Sequence, residues 1–273
     1  MILEKLYGGR LPQAGGVISL VGAGGKTTLM FRIARELAAA GETVLTTTTT
    51  RIYPPEPAQS AQVVIAVEPS AALPQLAPKL RRNRHVTAAA GWIPETGKLA
   101  GYPPESVAAL RAAGLFRWIL VEADGAAGRP LKAPAAHEPV IPACSDWVVA
   151  VAGMAAVSRP LDPRRVFRPE RFGALAGIAA GQPVTPEAIA AVLLHPAGSL
   201  KGCPPAAGRC VFLNQADLPG AADAARAVCA ALKRSPHAPL QRILIGSAAA
   251  NGSVAPAEKM AAAVVSHEGY RAW

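Results

Sequence analysis

Aromatic residues and long apolar runs are both scarce in this chain of 273 residues. Phenylalanine, tryptophan and tyrosine make up only 5% of the sequence, too little for the base-stacking platform of single-stranded nucleic-acid binders. No window approaches the roughly 18 consecutive apolar residues that identify a membrane-spanning helix. The first residues, MILEKLYGGRLPQ, also lack the basic-then-apolar order of a secretory signal. We therefore expect a cytoplasmic protein without a membrane segment.

Cysteines are few, and they follow no metal-binding pattern. They form neither a C-x-x-C pair nor a standard zinc spacing. Two of them, Cys203 and Cys210, bracket a loop rich in proline and glycine. A disulfide or a metal clip there stays open beside the simpler alternative of reduced thiols. The four cysteines are Cys144, Cys203, Cys210 and Cys229.

Acidic residues are outnumbered, because 28 lysines and arginines face 18 aspartates and glutamates, for a formal net charge of +10. Such an excess favours anionic partners. The positive charge is scattered, however, with one short cluster at Lys79, Arg81, Arg82 and Arg84. Nucleic acid is therefore the less favoured partner. An anionic nucleotide, together with an acidic small molecule or protein, accounts for the charge.

The most informative segment is residues 18–29, ISLVGAGGKTTL. A strand-like apolar run ends in a glycine-rich turn, where backbone N–H groups can close on a phosphate oxygen because no Cβ blocks the approach. The lysine would reach the terminal phosphates and the first threonine would ligate magnesium. The strict P-loop motif has glycine where this chain has Leu20, but a helix-like pattern follows, as the motif requires. The predicted nucleotide-binding residues of this P-loop are Gly22, Ala23, Gly24, Gly25, Lys26, Thr27 and Thr28, with Lys26 also catalytic and Thr27 on the metal.

Strand-like and helix-like runs alternate along the chain, which is typical of an α/β fold with a mostly parallel central sheet and helices on both faces. We expect one P-loop NTPase-like domain over residues 1–273. It would contain an irregular insertion around 125–142 and a hairpin excursion around 91–104. The predicted strands are 17–21, 43–48, 62–67, 85–90, 118–122, 147–152, 210–213 and 242–245, and the predicted helices are 27–40, 106–113, 186–194, 221–233 and 256–265.

Two acids follow a buried-strand pattern in RWILVEADG, residues 117–125. Glu122 and Asp124 would share one side of an extended strand, since side chains alternate with period two. An acid at the tip of a strand beside the P-loop strand holds magnesium, directly or through water. We expect Glu122 on the metal and Asp124 on a catalytic water or a second substrate.

Five threonines at 46–50 precede Arg51. Threonine favours strands, so the last members of the run would emerge at the carboxyl edge of the sheet, where ligands bind in open α/β folds. Thr48 is therefore a predicted magnesium ligand. Arg51 is predicted to neutralise charge in the transition state.

A further strand pattern ends in FLNQADLP, which places Asn214 and Asp217 after the strand. This resembles the Asn-Lys-x-Asp motif of GTP-binding proteins, in which the aspartate accepts hydrogen bonds from guanine. Gln215 stands in place of the lysine, so GTP is favoured over ATP by only a small margin. The other interpretation is a strand-to-helix turn in which Asp217 caps the following helix.

Residues 121–142, VEADGAAGRPLKAPAAHEPVIP, together with LVGAGGKTT and TTTTTRI, resemble the YqeC family over most of the chain. The resemblance implies a P-loop NTPase that helps to mature a selenium-dependent molybdenum hydroxylase. The implied partners are that enzyme or its cofactor-maturation proteins. Four prolines stiffen the segment and lower the entropy lost on ordering it. We predict that Lys132, His137 and Glu138 contact a second substrate or partner there.

The leading interpretation is a magnesium-dependent NTPase that couples hydrolysis of GTP or ATP to delivery or activation of a selenium or molybdenum-cofactor species. One alternative is a small-molecule kinase or a Mur-like ligase, because Gly-Lys-Thr-Thr without the first motif glycine also occurs in Mur-type ligases. In that case Asp124, His137 or Glu138 would act as base toward the acceptor. Another is a nucleotide-gated chaperone with negligible turnover. A homodimer is possible with each of them.

Overall fold

Eight parallel strands and one antiparallel edge strand form the central sheet of the computed structural model, which describes residues 1–235, 240–249 and 252–257. The strands are β1 Gly16–Gly22, β2 Val44–Thr48, β3 Arg51–Ile52, β4 Val63–Ile65, β5 His85–Ala89, β6 Gly91–Ile93, β7 Lys98–Ala100, β8 Trp118–Glu122, β9 Leu131–Lys132, β10 Trp147–Gly153, β11 Val166–Phe167, β12 Gly208–Asn214, β13 Arg242–Gly246 and β14 Val254–Pro256. The helices are α1 Ile2–Tyr7, α2 Lys26–Ala39, α3 Pro69–Arg82, α4 Ser106–Ala112, α5 Pro169–Ala176, α6 Pro186–Leu194 and α7 Ala221–Arg234, with a 3-10 turn at Met154–Ala156.

The strand order of the main sheet is β14-β13-β12-β10-β1-β8-β2-β5-β4, with only β14 antiparallel to its neighbour. Every residue of β1, β2, β5 and β8 is buried, as expected for parallel strands covered on both faces. The P-loop strand β1 lies between β8 and β10. The carboxyl ends of β1, β8 and β2 therefore meet at one edge of the sheet.

Helices cover both faces. In β10, Val148 and Ala150 pack with residues of α5, α6 and α7, whereas Val149 and Val151 pack with α1 and α2 on the opposite face. Helices α3 and α4 pack on a third cluster at the β8, β2 and β5 end of the sheet. The fold is thus the predicted P-loop NTPase-like α/β arrangement. We propose that one domain spans the chain, because the main sheet takes strands from residue 16 to residue 256.

All eight predicted strands are present, within a few residues at their ends, and so are four of the five predicted helices. Helices α1, α3 and α5 were not predicted from the sequence. In α3 the pattern was hidden by Pro74 and Pro78, which lie on the solvent side of the helix, where water can satisfy the carbonyls left without a partner. Its buried residues, Ala72, Leu76 and Leu80, have regular helical spacing.

The predicted helix at 256–265 is wrong at its start. Pro256 belongs to β14, which pairs with β13 in the antiparallel direction. A proline is tolerated there because β14 is an edge strand. The remainder of that helix, from residue 258, lies outside the described residues.

The described part of the chain also contains two smaller sheets. Strands β6 and β7 pair as an antiparallel hairpin within residues 91–104, and β3 adds to its edge. Strand β9, which lies within residues 125–142, pairs in parallel with β11 from later in the chain. The four cysteines form no disulfide, so Cys203 and Cys210 are not bridged. Across the described ranges, no helix has both the length and the apolar character needed to cross a membrane.

Candidate functional site

The turn between β1 and α2 is packed so tightly that glycine is required. Gly24 has φ +81°, and a Cβ on it would lie 2.5 Å from the backbone nitrogen of Gly153. Gly25 has φ +117°, and a Cβ there would lie 2.3 Å from Nδ2 of Asn214. Both positions combine a left-handed conformation with a close approach, which only glycine tolerates. Gly22 and Ala23 complete the loop, and Ala23 donates its N–H to the Val151 carbonyl at 2.9 Å.

Lys26, the first residue of α2, is buried against two carboxylates. Its Nζ lies 3.1 Å from Oδ1 of Asp124 and 3.7 Å from Oε1 of Glu122. It also donates a hydrogen bond of 2.7 Å to the carbonyl of Gly22. Asp124 in turn accepts the Gly22 N–H through Oδ2 at 2.9 Å. The P-loop lysine and the strand-end acids predicted from the sequence therefore lie together.

Electrostatics keep this lysine charged. Burial alone would lower the pKa of Lys26, but the negative charges of Asp124 and Glu122 outweigh it, so the pKa is raised. For Glu122, burial is the largest effect and raises the pKa, while the charge of Lys26 opposes it. A phosphate that displaced a carboxylate from Lys26 would therefore meet a fully charged ammonium group.

Thr27 and Glu122 provide a pair of oxygen ligands. The Thr27 hydroxyl donates to Oε2 of Glu122 at 2.6 Å, so two oxygens of the kind that Mg²⁺ prefers lie side by side. In the described part of the chain, no group of three or more His, Cys, Asp or Glu side chains is arranged to hold a metal. One hydroxyl beside one carboxylate would leave most ligand positions of an ion to phosphate and water. Mg²⁺ commonly binds in this way.

Thr48 lies at the same sheet edge but is already engaged. Its buried hydroxyl donates to the Glu122 carbonyl at 2.7 Å and accepts the Thr50 N–H at 3.0 Å. Its role as a metal ligand stays a prediction. Arg51 is exposed on β3, and within the described ranges it makes no ion pair with the acids around Lys26. Thr28 is exposed in the first turn of α2.

The segment 125–142 also contacts the carboxylate of Asp124, through Lys132. Lys132 is fully buried, and its Nζ lies 3.0 Å from Oδ2 of Asp124 and 3.0 Å from Oε2 of Glu138. It also donates to the carbonyl of Gly125 at 2.5 Å. Asp124 is thus shared between Lys26 and Lys132. His137, by contrast, is exposed.

The backbone of this segment also covers the P-loop. The Gly24 N–H donates to the carbonyl of Arg129 at 3.0 Å, and the Gly153 N–H donates to the carbonyl of Pro130 at 2.9 Å. A phosphate oxygen that used the Gly24 N–H would have to displace the Arg129 carbonyl. This contact could not be predicted from the residue types, because it involves only main-chain atoms.

Arg168 also belongs to this cluster of charged residues and was not predicted from the sequence. Its Nη1 donates to Oε2 of Glu138 at 2.5 Å, and the same carboxylate accepts the Ala135 N–H at 3.2 Å. The signal that was available is weak. Arg168 lies in no motif, and its partner Glu138 is 30 residues earlier in the chain.

Asn214 braces the P-loop. Its Nδ2 donates to the Gly24 carbonyl at 2.6 Å, and its Oδ1 accepts the Ala248 N–H at 2.7 Å. Ala248 belongs to the loop after β13. Arg32 on α2 donates to two carbonyls of that loop, Ser247 at 2.7 Å and Ala249 at 2.9 Å. Asp217 is exposed, so its carboxylate is accessible to a ligand. The guanine-binding role of Asn214 and Asp217 stays a prediction.

Acid titration gives a first prediction for this cluster. Burial would raise the pKa of Glu138, but the charge of Lys132 and the hydrogen bond from Arg168 lower it from 4.5 to about 2. Because the folded-state pKa is depressed, its stabilising contribution is complete above about 4.5 and is lost as the pH falls toward 2. Glu138→Gln should therefore show a smaller loss of stability across that pH range.

Urea unfolding at a series of pH values measures this effect. Glu170→Gln, an exposed acid on α5, is the matched control and should keep the wild-type pH dependence. Equal slopes for wild type and Glu138→Gln would contradict the ion-pair assignment.

Comparisons with known proteins found similarity to a described family, to one relative and to one solved structure. The family model described as YqeC protein matches residues 18–170. The uncharacterized protein YqeC of Escherichia coli (strain K12) is 36% identical over 201 residues, which cover 73% of this chain and 75% of that protein. The crystal structure of the signal recognition particle 54 kDa protein from Aeropyrum pernix K1 in complex with GDP aligns with 95% of this chain. The alignment covers 48% of that chain, with a TM-score of 0.43 and 14% identity. This chain thus spans about half of that structure's length, and a likeness at this level does not bear on function.

Proposed function

Since the chain belongs to the YqeC family, as its motifs suggested, and its P-loop architecture supports nucleotide binding, we propose that it is a magnesium-dependent NTPase. We further propose that it acts as an accessory factor in maturing a selenium-dependent molybdenum hydroxylase. The observation that carries the first proposal is the junction at Asp124, where Lys26 of the P-loop and Lys132 of the 125–142 segment share one buried carboxylate. The accessory role is supported by the family resemblance alone.

The chemistry follows from what the phosphates would replace. The terminal phosphates would replace the Gly22 carbonyl and Asp124 as partners of the Lys26 ammonium. They would also replace the Arg129 carbonyl as the acceptor of the Gly24 N–H. Such charge-assisted hydrogen bonds are the strong ones in phosphate recognition. Mg²⁺ held by Thr27 and Glu122 would stabilise negative charge on the phosphates. Asp124, relieved of Lys26, would then orient the attacking water, and Lys132 would stabilise the transition state.

Nucleotide binding would also move the 125–142 segment. Arg129 and Pro130 contact the P-loop through their carbonyls, and Lys132 of the same segment is tied to Asp124. Displacement of one of these contacts by phosphate therefore changes the position of the others. This matches switches in which a segment changes its order between nucleotide states, and it offers a client protein a surface that depends on the bound nucleotide.

A second candidate function is phosphoryl transfer to an acceptor, as in a kinase or a Mur-like ligase. It is favoured by Arg168, which pairs with Glu138 and so extends the charged site past the P-loop. Under this alternative Asp124 would act as the base toward the acceptor.

Calorimetric titration with GTP and ATP analogues, each with magnesium, tests the proposal. We expect binding with a preference for GTP, which Asp217→Ala should weaken about tenfold or more, the size expected for lost hydrogen bonds to a charged group. Asp223→Ala, another exposed aspartate near the start of α7, is the control and should leave both affinities unchanged.

The other outcomes separate the alternatives. Binding of ATP unaffected by Asp217→Ala would make the NQAD segment a structural turn. Absence of turnover, alone and with a client enzyme, combined with nucleotide-dependent client binding would favour the chaperone. A product formed only with an added acceptor would favour the kinase or ligase. No nucleotide binding at all would contradict the proposal.

A further inference from the structure

We infer that Arg168, Arg171 and Lys201 form a second anion-binding site beside the P-loop, which takes a small molecule carrying a phosphate or dicarboxylate dianion. The inference deepens the second candidate function, because such a molecule would be the acceptor or effector of the nucleotide chemistry. We refer to these three residues as the basic triad.

The basic triad converges on one short stretch of backbone. Arg168 donates to the carbonyl of Ala133 at 3.3 Å, and Arg171 donates through Nε to the carbonyl of Pro134. Lys201 donates to the carbonyls of Ala135 and Ala136, each at 2.8 Å. The three side chains come from the residue before α5, from α5 itself and from the loop after α6. Two separate parts of the chain therefore deliver positive charge to one place.

This positive charge is not balanced by carboxylates. In the described ranges, Glu138 is the one carboxylate that makes an ion pair with the triad, and it pairs with Arg168 while also pairing with Lys132. Lys132 has a second partner in Asp124, which already serves Lys26. The carbonyls that hold Arg171 and Lys201 orient them without neutralising their charge. An anion bound here would supply the missing negative charge.

The electrostatics of Lys201 agree with this excess. Its pKa is lowered, first by its partial burial and then by the positive charge of Arg171, with a further contribution from Lys132. The negative charge of Glu138 acts in the opposite direction. A bound dianion would relieve the repulsion between Lys201 and Arg171.

Arg168 is accessible and held in a fixed position. Its side chain is 29% exposed, so an anion can reach it from solvent. Its Cζ lies 4.3 Å from the centroid of the Phe167 ring, within range of a cation–π contact. Its backbone is left-handed, with φ 62°, which is uncommon for a residue other than glycine and carries a cost that the surrounding structure must offset.

An unbroken series of ion pairs links the triad to the P-loop. Arg168 contacts Glu138, Glu138 contacts Lys132, Lys132 contacts Asp124, and Asp124 contacts Lys26. An anion that took Arg168 from Glu138 would therefore strengthen the hold of Glu138 on Lys132 and loosen Lys132 from Asp124. This places the second anion where it can act on the nucleotide chemistry.

Calorimetric titration tests the site with two probes, inorganic phosphate and malonate, on protein saturated with ADP and magnesium so that the P-loop is filled. We expect saturable binding of at least one dianion. The double variant Arg171→Gln/Lys201→Gln should bind it about tenfold or more weakly, since charge-assisted hydrogen bonds are lost. The matched control Arg81→Gln/Arg82→Gln removes two exposed charges at the end of α3 and should bind like wild type.

A charge-keeping variant, Arg171→Lys/Lys201→Arg, separates lost recognition from lost folding, and it should retain most of the affinity. Binding of phosphate but not malonate identifies a phosphoryl-bearing ligand, and binding of both identifies a broader dianion site. Equal affinity for the Gln double variant and the wild type, or no saturable binding of either dianion, would overturn the inference. If ADP does not bind, the NTPase proposal fails separately. The same comparison of variants is then made without nucleotide, where phosphate binding insensitive to the Gln double variant again overturns the inference.

Discussion

Lys26→Ala is expected to abolish measurable binding of GTP and ATP while the chain still folds. The ammonium is the buried group best placed to meet the terminal phosphates, because it lies in the first turn of α2 beside Gly22 and Asp124. Charge-assisted hydrogen bonds of this kind contribute about 1.5–3 kcal/mol each. Losing more than one of them lowers affinity by about a hundredfold or more. Calorimetric titration of the variant measures the loss directly.

The same substitution also changes stability in a pH-dependent way. Breaking a buried ion pair commonly costs about 3–5 kcal/mol, because the remaining charge is left without a partner. Here the cost should lie at the lower end, since Asp124 keeps Lys132 and Glu122 keeps the Thr27 hydroxyl. Without Lys26, the pKa of Glu122, which burial already raises, should rise further. A raised folded-state pKa of an acid means that stability falls as the pH rises through that pKa. The stability of the variant relative to wild type should therefore fall as the pH rises from the acid range through the raised pKa of Glu122.

Lys233→Ala, an exposed lysine in the last turn of α7, is the matched control and should retain nucleotide binding and wild-type stability. Normal binding of both nucleotides by Lys26→Ala would show that the glycine-rich turn is not a phosphate site. A variant that loses binding but keeps wild-type stability at all pH values would contradict the ion pairs with Asp124 and Glu122.

The central sheet was predictable because its strands are buried on both faces, and such strands have nearly continuous apolar sequences. The strand β8, WILVE, is an example in which the predicted and observed ends agree. The approach of Lys26, Glu122 and Asp124 was predictable for a related reason. Carboxyl ends of neighbouring parallel strands meet at one edge, so a motif after β1 and acids after β8 had to come close together.

The parts that escaped prediction have no local signature. Helix α3 contains internal prolines, and their cost is avoided only because they face solvent, which is a property of the folded chain. The contact of the Arg129 carbonyl with the Gly24 N–H involves no side chain. Arg168 and Lys201 reach the 125–142 segment from far along the sequence. Long-range side-chain contacts of this kind depend on how loops pack, and a single sequence does not encode that as a pattern.

Asp124→Asn should separate catalysis from binding. The amide oxygen can still accept the Gly22 N–H, as the carboxylate does at 2.9 Å, so the loop keeps its anchor. The negative charge is lost, however, and an amide is a poor group for orienting or deprotonating a water. General-base contributions are about a hundredfold to ten-thousandfold, and we expect kcat for hydrolysis to fall within that range.

Nucleotide affinity should not fall in parallel. In the wild-type protein the terminal phosphates must compete with Asp124 for both Lys26 and Lys132. Removing the charge of Asp124 removes that competition, so the dissociation constant in Asp124→Asn should be unchanged or lower. Single-turnover hydrolysis together with calorimetric titration measures the two quantities separately. Asp162→Asn, which lies in the loop before β11, is the control and should change neither.

A merely structural role for Asp124 predicts the opposite pattern. Loss of its ion pairs would then loosen the P-loop, and affinity and kcat would decline together with the unfolding temperature. Retained kcat in Asp124→Asn would remove this residue from the mechanism and leave Lys26 and Lys132 as two cations that share a counter-ion. The split between kcat and affinity therefore separates the two roles. An acid that restrains two lysines in the empty site and acts on water in the filled one predicts a slower reaction with equal or tighter binding, whereas a structural acid predicts that both decline.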